Sequence, residues 1–305
     1  MAPGAPSGYD PRAYPPFAVT VDIAVFTIRD DALHVLLIER GQEPFKGALA
    51  LPGGFVKPDE DLDEAAAREL AEETGLRDGS WHLEQLGSYG APDRDPRMRV
   101  VTVAYWAICA GLPGLRAGTD AALALLVPVE EIEVGNARLA FDHERIVRDA
   151  VERTRSKLEY TALAAKFCPP EFTIAQLRRV YEAVWNTHLD PGNFQRNVQE
   201  SGAFEKRGGA VSSFRSRRGR RAALWSVRES AFSMAPPSAP LDRALARRRR
   251  PTWPQSPVMS GPPPDPSEVD AAPSADESDP PQAADEAGSP PPGEAGSPPK
   301  KDDKT

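Results

Sequence analysis

The chain has 305 residues, 33 of them proline and only two of them cysteine, and its formal net charge is −8. This length is more than one ordinary domain needs, and the proline content indicates that part of the chain does not fold compactly. Two distant cysteines, Cys109 and Cys168, fit buried thiols in a reducing cytosol better than a disulfide framework or a zinc site. The start has no signal-peptide pattern and no apolar run has membrane-spanning length, so we expect a cytoplasmic protein without membrane association.

Charge is strongly segregated along the chain. Residues 1–157 carry 26 acidic and 17 basic side chains, a net charge of −9. Residues 158–250 carry 8 acidic and 17 basic side chains, net +9, and residues 251–305 carry 11 and 3, net −8. The middle block therefore has the charge of a surface that faces a polyanion.

The acidic block predicts strands around two helices. Strands 18–28 and 33–39 are separated by the turn Arg29-Asp30-Asp31 and predict a hairpin. Further strands are predicted at 81–89, 98–109 and 123–129, and helices at 61–74 and 142–158. This order predicts an α/β fold, namely an α/β/α sandwich with a mixed sheet.

The basic block predicts a small second domain. Thr173 is expected to cap a helix that continues to Trp185, and Asp190-Pro191 to begin a second helix that ends near Ser201. Two short strands around a basic loop follow, at 204–206 and 224–227. Helix, turn, helix and hairpin are the outline of a winged helix.

These elements define four segments. Residues 1–16 are expected to be disordered, 17–157 to form the sandwich and 158–230 to form the winged-helix domain. Residues 231–305 are expected to be a disordered, proline-rich acidic tail, because their composition cannot bury enough apolar surface to offset chain entropy.

The helix predicted at 61–74 carries the chemistry. At about 100° per residue, Glu69 and Glu73 lie one turn apart, beside a stripe with Ala66 and Leu70 that should be buried, and Glu72 lies next to them. Three acids this close repel one another unless a cation is present. Oxygen ligands of this kind suit Mg²⁺ or Mn²⁺, which would also accept phosphate oxygens. The alternative is a solvated acidic helix face.

Two further features support a metal site. Gly53 and Gly54 allow the backbone to come close to the acids. Arg68 can hold the carboxylates in place, and Glu60 can in turn orient Arg68.

The spacing of these residues is that of a known sequence motif. The pattern G-x5-E-x7-R-E-U-x-E-E-x-G-U, in which U is an aliphatic residue, is matched at every position. Its members are Gly54, Glu60, Arg68, Glu69, Leu70, Glu72, Glu73, Gly75 and Leu76. The chain therefore resembles the Nudix superfamily.

The resemblance extends beyond this motif, which is called the Nudix box. Tyr89-Gly-Ala-Pro-Asp-Arg-Asp-Pro-Arg97 and Phe141-Asp142-His143 are similar to ADP-ribose-type Nudix proteins. Together with Leu158-Glu159-Tyr160 and Pro170-Glu171-Phe172-Thr173, the chain resembles the NrtR-type Nudix-related regulators, which join a Nudix domain to a C-terminal winged helix and control NAD metabolism.

This resemblance implies a ligand, a metal and an assembly. The implied ligand is ADP-ribose or a related nucleotide, and the implied assembly is a homodimer. Metal ligands would be Glu69, Glu72, Glu73 and the Gly53 carbonyl, and the implied catalytic set is Glu60, Arg68, Glu72 and Glu73. Some regulators of the group have a degraded box and only sense the ligand, whereas this box is intact, so hydrolysis remains open.

Loop residues supply further candidates for the ligand site. The general base stays open among Asp93, Asp95, Asp120 and Glu73, although each loop acid is also an ordinary turn former. Gly54 and the arginines are candidates for ligand contact, the arginines being Arg40, Arg94, Arg97 and Arg99. His143 either contacts the ligand or packs near a helix start.

The winged helix supplies candidates for contact with double-stranded DNA. Amide and guanidinium groups on the second helix can read base edges, and the candidates are Asn193, Gln195, Arg196 and Gln199. The basic loop between the two short strands, which we call the wing, would add phosphate contacts from Arg215, Arg217, Arg218, Arg220 and Arg221. The alternatives are a solubilising basic surface and a housekeeping ADP-ribose or nucleotide-sugar pyrophosphatase whose extra domain only supports dimers.

Overall fold

The fold begins with a β-hairpin. The structure is a computed structural model that describes residues 10, 13–74, 81–112, 121–215, 221–228 and 231. Strands β1 (Ala18–Arg29) and β2 (Ala32–Arg40) pair antiparallel. Between them Asp30 and Asp31 both have positive φ, 51° and 57°, as a two-residue loop of type I′ requires. The predicted hairpin is confirmed.

Seven strands of the described chain form one mixed sheet around this hairpin. The other five are β3 (Leu49–Ala50), β4 (Gly53–Phe55), β5 (Trp81–Tyr89), β6 (Val100–Cys109) and β7 (Ala121–Pro128). The main order is β3-β2-β1-β6-β5, while β4 pairs with β1 and β7 pairs with β2. The sheet is mixed because β1 and β6 run parallel, whereas the other pairs are antiparallel.

Helices cover both faces of the sheet. They are α1 (Leu62–Thr74), α2 (Val129–Glu133) and α3 (His143–Tyr160). Alternate β1 residues point to opposite faces, so Ile23 packs in the core under α1 and Phe26 in the core under α3. The α/β/α sandwich predicted from the sequence is confirmed.

The winged helix follows α3. It contains the 3-10 helix Ala162–Phe167, helices α4 (Ile174–Trp185) and α5 (Pro191–Glu200), and the hairpin of β8 (Phe204–Arg215) and β9 (Arg221–Val227). Thr173 and Gln176 form a reciprocal capping box at the start of α4, and the Asp190 side chain accepts a hydrogen bond from the Asn193 N–H at the start of α5. Both predicted helix starts are therefore explained by side-chain caps.

One hydrophobic core joins the sandwich to the winged helix. It runs from Phe26 and Trp106 in the sheet through Val151 in α3 to Tyr181 in α4 and Phe194 in α5. At the margin of this core, the backbones of Phe172 and Trp225 exchange two hydrogen bonds of 2.8 and 3.0 Å, which tie β9 to the chain before α4. Hence α3 packs against both regions.

Some element boundaries differ from the sequence expectation. The helix predicted at 142–158 begins at His143 and ends at Tyr160, and Val129, predicted to end a strand, begins α2. The short strands β3 and β4 had not been predicted, because two or three residues show no periodicity. Cys109 and Cys168 are buried thiols as expected, and burial raises the pKa of Cys168 to about 12.

Several predicted segments cannot be compared with the structure. The tail from residue 232 onward and most of residues 1–16 lie outside the described residues. No helix in the described ranges is long and apolar enough to cross a membrane.

Candidate functional site

The acidic edge of α1 faces the N-terminal end of β4. Ala66 and Leu70 are fully buried against the sheet, as predicted, and Glu69 and Glu73 lie at the border of that face with exposures of 9% and 8%. Glu72 is exposed. The helical spacing therefore places two nearly buried carboxylates side by side, with a third toward solvent.

Two glycines permit this close approach. A β-carbon on Gly53 would lie 2.2 Å from the Val21 carbonyl oxygen, and one on Gly54 would lie 2.3 Å from Oε1 of Glu69. The Gly53 N–H donates a hydrogen bond of 2.9 Å to Oε2 of Glu73. A side chain at position 53 would therefore collide with backbone and one at position 54 would displace the Glu69 carboxylate, so both glycines allow the close approach that the sequence predicted.

Arg68 is the centre of a network of acids. It donates two hydrogen bonds to Glu60 (2.6 and 2.8 Å), one to Oε1 of Glu69 (2.6 Å) and one to Glu72 (3.3 Å). The hydrogen bonds from Arg68 and from the Lys57 N–H lower the pKa of Glu60 to about 2. The expected orientation of Arg68 by Glu60 is present.

The chemistry of Glu69, Glu72 and Glu73 fits a divalent cation. Among the described residues no group of three or more His, Cys, Asp or Glu side chains is positioned to hold a metal ion. Burial raises the pKa of Glu69 in spite of the contact with Arg68. The positive charge of Arg68 therefore does not fully offset the cost of removing the charged carboxylate from water. Glu69 is a nearly buried carboxylate beside the carboxylates of Glu72 and Glu73, and oxygen ligands of this kind match the preferences of Mg²⁺ or Mn²⁺.

The acids form one wall of a cavity of about 630 Å³. This volume is in the range of small-molecule sites. Most of the predicted ligand and metal residues line it, namely Arg40, Gly53, Gly54, Arg68, Glu69, Glu72, Glu73 and Arg97.

Two arginines, Arg40 and Arg97, line the same cavity as the acids. The Arg40 Nε donates to the Pro44 carbonyl oxygen at 2.8 Å, and no carboxylate of the described residues forms an ion pair with Arg40. Burial and the charge of Arg97 both lower the pKa of Arg40. An incoming anion would relieve this repulsion, so Arg40 has the environment of a phosphate-binding residue.

Arg97 is held rigidly by Asp95. Two hydrogen bonds, of 3.0 and 2.7 Å, join its guanidinium to the two carboxylate oxygens, and the Arg97 N–H adds a third of 2.9 Å. These contacts lower the pKa of Asp95, with the side-chain hydrogen bond as the largest cause. A carboxylate paired in this way is a poor general base, so we leave Asp95 out of that role.

The remaining loop candidates lie elsewhere. Arg99 does not line the cavity and donates to the carbonyl oxygens of Gly90 and Ala91. Asp93 is exposed and does not line the cavity, and Asp120 lies outside the described residues. Of the general-base candidates among the described residues, Glu73 and Asp95 line the cavity, and the pairing of Asp95 with Arg97 leaves Glu73 for that role.

A buried polar cluster of Asp22, Arg94 and His143 forms part of the cavity lining. Arg94 pairs with Asp142 at 2.7 Å and with Asp22 at 3.3 Å, which explains its burial without a phosphate. Nδ1 of His143 accepts a hydrogen bond of 2.9 Å from the Leu51 N–H. His143 therefore packs at a helix start, which is one of its two predicted roles, and because it also lines the cavity, contact with a ligand stays a prediction.

The sequence reasoning missed the aromatic part of the cavity wall. Phe55 and Phe141 both line the cavity, and Arg40 and Arg97 lie over their rings. Phe141 has φ 55°, a left-handed conformation that is rare for an aromatic residue. Phe141 belongs to the segment Phe141-Asp142-His143, but no local pattern indicates that its ring centre lies 4.7 Å from the Arg40 guanidinium carbon and 5.9 Å from that of Arg97.

The second candidate surface lies on α5. Phe194 and Val198 are buried, and the four predicted contact residues are exposed, namely Asn193, Gln195, Arg196 and Gln199. Arg215 and Arg221 end and begin the two wing strands, while Arg217, Arg218 and Arg220 lie outside the described residues. Exposed amide and guanidinium groups on a helix beside a hairpin have the chemistry that recognises base edges in the major groove of DNA.

Two domain families match the chain. The NUDIX domain matches residues 18–150, and the NrtR DNA-binding winged helix domain matches residues 164–227.

Two curated proteins are similar to the chain over long stretches. The chain is 36% identical over 203 residues to the "ADPR responsive transcriptional repressor NtrR" of Acinetobacter baylyi, covering 65% of this chain and 78% of that protein. It is 42% identical over 127 residues to the "ADP-ribose pyrophosphatase" of Methanocaldococcus jannaschii, covering 42% of this chain and 71% of that protein.

A solved structure shares the fold across both regions. The crystal structure of Shewanella oneidensis NrtR complexed with a 27mer DNA superposes with a TM-score of 0.62 at 29% identity, covering 73% of this chain and 99% of that one. The MutT/nudix family protein from Enterococcus faecalis gives a TM-score of 0.58 at 29% identity, covering 70% and 88%.

Proposed function

The chain belongs to the NrtR family of Nudix-related regulators, and from this membership we propose that it is an ADP-ribose-responsive transcriptional repressor. In this proposal the Nudix domain binds ADP-ribose and the winged helix binds double-stranded DNA of genes for NAD metabolism. The observation that carries it is the joining of a complete Nudix cavity to a winged helix in one chain. A cytoplasmic location belongs to the same proposal, since the DNA target is there.

The cavity supports a diphosphate ligand. Arg40 forms no ion pair with a carboxylate of the described chain, and it lines the same cavity as Glu69 and Glu73. A divalent metal held by Glu69, Glu72, Glu73 and the Gly53 carbonyl would neutralise phosphate charge and help to activate a water. Arg68 and Glu60 would keep these carboxylates in place.

The surface of α5 supports DNA binding. Asn193, Gln195, Arg196 and Gln199 would read base edges, because they are the exposed amide and guanidinium groups of the helix. The arginines of the wing would contact phosphates, namely Arg215, Arg217, Arg218, Arg220 and Arg221. Each would add affinity without adding sequence preference.

Helix α3 supports coupling between the two sites. It begins at His143, which lines the cavity, and its later residue Arg155 donates a 3.0 Å hydrogen bond to the Val184 carbonyl oxygen of α4. In a homodimer, which we include in the proposal, a small movement of α3 would change the spacing of the two α5 helices. ADP-ribose would then weaken DNA binding if it favours one dimer geometry.

A titration of labelled DNA tests the repressor function. DNA from upstream of the protein's own gene is titrated with the full chain at fixed salt, with and without saturating ADP-ribose and Mg²⁺. We expect binding without ligand and a 5- to 150-fold weaker affinity with it, the range of about 1–3 kcal/mol of coupling. Absence of DNA binding at low salt would overturn the proposal, and sedimentation of the free protein tests the dimer.

Hydrolysis of ADP-ribose is a second candidate function. It is favoured by the intact set of acids, with Glu69 and Glu73 nearly buried beside Gly53 and Gly54. The products would be AMP and ribose 5-phosphate. We expect metal-dependent AMP release that Glu73→Gln abolishes while the melting temperature stays close to that of the unaltered protein. No release from a panel of nucleotides with Mg²⁺ or Mn²⁺ would leave the sensing role alone.

A further inference from the structure

Arg94 connects the cavity lining to the start of α3. Its side chain, which is 4% exposed, holds both carboxylate oxygens of Asp142 through hydrogen bonds of 2.7 and 3.2 Å. The same guanidinium donates a longer hydrogen bond, of 3.3 Å, to Asp22. Asp22 and Arg94 line the cavity, whereas Asp142 does not. A buried ion pair therefore joins the cavity lining to the residue that precedes α3.

The Asp142 side chain binds Arg94 instead of capping α3. Asp142 is the N-cap residue of this helix, a position at which an aspartate commonly accepts a hydrogen bond from a backbone N–H of the first turn. Asp142 makes no such side-chain hydrogen bond. The next residue, His143, has its Nε2 3.6 Å from a carboxylate oxygen of Asp22. The start of α3 is thus held by side chains of the cavity lining.

This cluster has less positive than negative charge. Arg94 is one cation between two carboxylates, and burial lowers the pKa of the neighbouring His143, which favours its neutral form. Charges interact strongly where water is largely excluded. An anionic ligand in the cavity would therefore compete with Asp22 and Asp142 for the charge of Arg94. Its binding would weaken the hold of Arg94 on the start of α3.

The later part of α3 contacts the winged helix. The Arg155 Nε donates to the Val184 carbonyl oxygen at 3.0 Å, and the Trp185 Nε1–H donates to the Arg155 carbonyl oxygen at 3.3 Å. Val184 and Trp185 end α4, and Tyr181 of the same helix packs against Phe194 of α5 with ring centres 5.4 Å apart. A shift at the start of α3 can therefore reach α5 through packed helices.

We propose that the ion pair of Arg94 and Asp142 is the contact through which a ligand in the cavity lowers the DNA affinity of the winged helix. The inference rests on the proposed function, in which ADP-ribose weakens DNA binding, and it assigns that effect to one pair of side chains. Asp142 is then a positioning residue that contacts neither ligand nor DNA. Without the pair, α3 takes the position that ADP-ribose otherwise induces.

The test replaces Asp142 by Asn, which keeps the shape of the side chain and removes the charge that Arg94 holds. Labelled upstream DNA is titrated with the full chain at fixed salt, with and without saturating ADP-ribose and Mg²⁺. The ADP-ribose that remains is measured after each titration. The unaltered protein should lose about 5- to 150-fold in DNA affinity when ligand is added. Asp142→Asn should bind DNA weakly from the outset, and ADP-ribose should weaken it by less than about 2-fold further.

A second measurement distinguishes this role from a loss of structure. ADP-ribose no longer competes with Asp142 for Arg94 in Asp142→Asn, so calorimetry should show tighter ADP-ribose binding than in the unaltered protein. A merely destabilised protein would bind both ligands more weakly, and that result would overturn the inference. Arg94→Lys keeps the charge but cannot hold both carboxylate oxygens. It should likewise lower DNA affinity without ligand, and it decides the question if Asp142→Asn does not fold.

Asp149→Asn is the matched control. Asp149 also belongs to α3 and accepts a 2.9 Å hydrogen bond from the Tyr89 hydroxyl, but neither of these residues lines the cavity. This variant should respond to ADP-ribose as the unaltered protein does. A full response in Asp142→Asn, or an equal loss in Asp149→Asn, would overturn the inference. An unaltered protein whose DNA affinity ignores ADP-ribose would instead contradict the proposed function itself.

Discussion

The backbone N–H of Leu51 donates a 2.9 Å hydrogen bond to Nδ1 of His143, which lies 92 residues later in the chain. Because a backbone N–H can only donate, Nδ1 carries no hydrogen and the neutral ring carries its hydrogen on Nε2, 3.6 Å from a carboxylate oxygen of Asp22. Burial lowers the pKa of His143, which favours the same neutral form. The first residue of α3 thus holds the loop that leads into Gly53.

Removing this acceptor should loosen the loop. We expect His143→Ala to lower the free energy of unfolding by about 1–3 kcal/mol, since the Leu51 N–H would stay buried without a partner. Denaturant unfolding measures the loss, and His143→Asn, which can present an oxygen near the position of Nδ1, should recover part of it. Equal stability of the Ala variant and the unaltered protein would contradict the role assigned to this hydrogen bond.

The pairing of Glu60 with Arg68 predicts a pH dependence of stability. The folded-state pKa of Glu60 is lowered from its ordinary value of 4.5 to about 2. A lowered carboxylate pKa stabilises the folded state above the unfolded value, and this contribution is lost as the pH falls from about 4.5 to about 2.

The measurement compares unfolding free energies of the unaltered protein and Glu60→Gln across that range. We expect the difference between the two proteins to be constant above about pH 5 and to shrink steadily below it. A difference that stays the same down to pH 3 would mean that the ion pair does not stabilise the fold.

Arg155 should be essential to the junction between α3 and the winged helix. Its guanidinium pairs at 3.0 Å with the buried Glu133 and also donates to the Val184 carbonyl oxygen. We expect Arg155→Met to cost about 3–5 kcal/mol, because it leaves a buried carboxylate without a partner. Thermal unfolding with Glu133→Leu and with the double variant completes the cycle, and the double variant should be more stable than Arg155→Met. Strictly additive losses would exclude the coupling.

The two parts of the DNA surface should differ in what they contribute. Arg196→Ala, on the exposed side of α5, should relax sequence preference with a loss of about 1–3 kcal/mol on the preferred site. Replacement of Arg217, Arg218 and Arg220 by Ala should weaken binding to all sequences and flatten its salt dependence. Fluorescence titrations on matched and scrambled DNA at several salt concentrations separate these effects. A steeper salt dependence after the triple replacement would be inconsistent with phosphate contacts.

Much of the sandwich could be predicted because local sequence and tertiary structure agree there. Asp30 and Asp31 accept the positive φ of the hairpin turn, and the Ala66 and Leu70 stripe on α1 is buried as its spacing predicts. The caps at Thr173 and Asp190 are equally local. Where each residue's own preference supports the final structure, periodicity and capping suffice.

The rest depends on contacts between distant segments. The pair of Leu51 and His143 and the pair of Arg94 and Asp22 join residues far apart in sequence, so no local pattern indicates them. The left-handed backbone of Phe141 runs against the preference of its own side chain, and the surrounding contacts hold it. The aromatic part of the cavity wall, formed by Phe55 and Phe141, therefore could not be predicted from the sequence.

The hydrophobic core that extends from Trp106 to Phe194 restricts how this protein can be recombined with its relatives. A chimera that joins the sandwich of one member to the winged helix of another would cut through packed side chains rather than through a linker. Functional hybrids should therefore need α3, the 3-10 helix Ala162–Phe167 and α4 to be inherited from one parent. Over evolution, the contacting residues of the sandwich and of the winged helix would have to change together. The two domains would not be exchanged independently of each other.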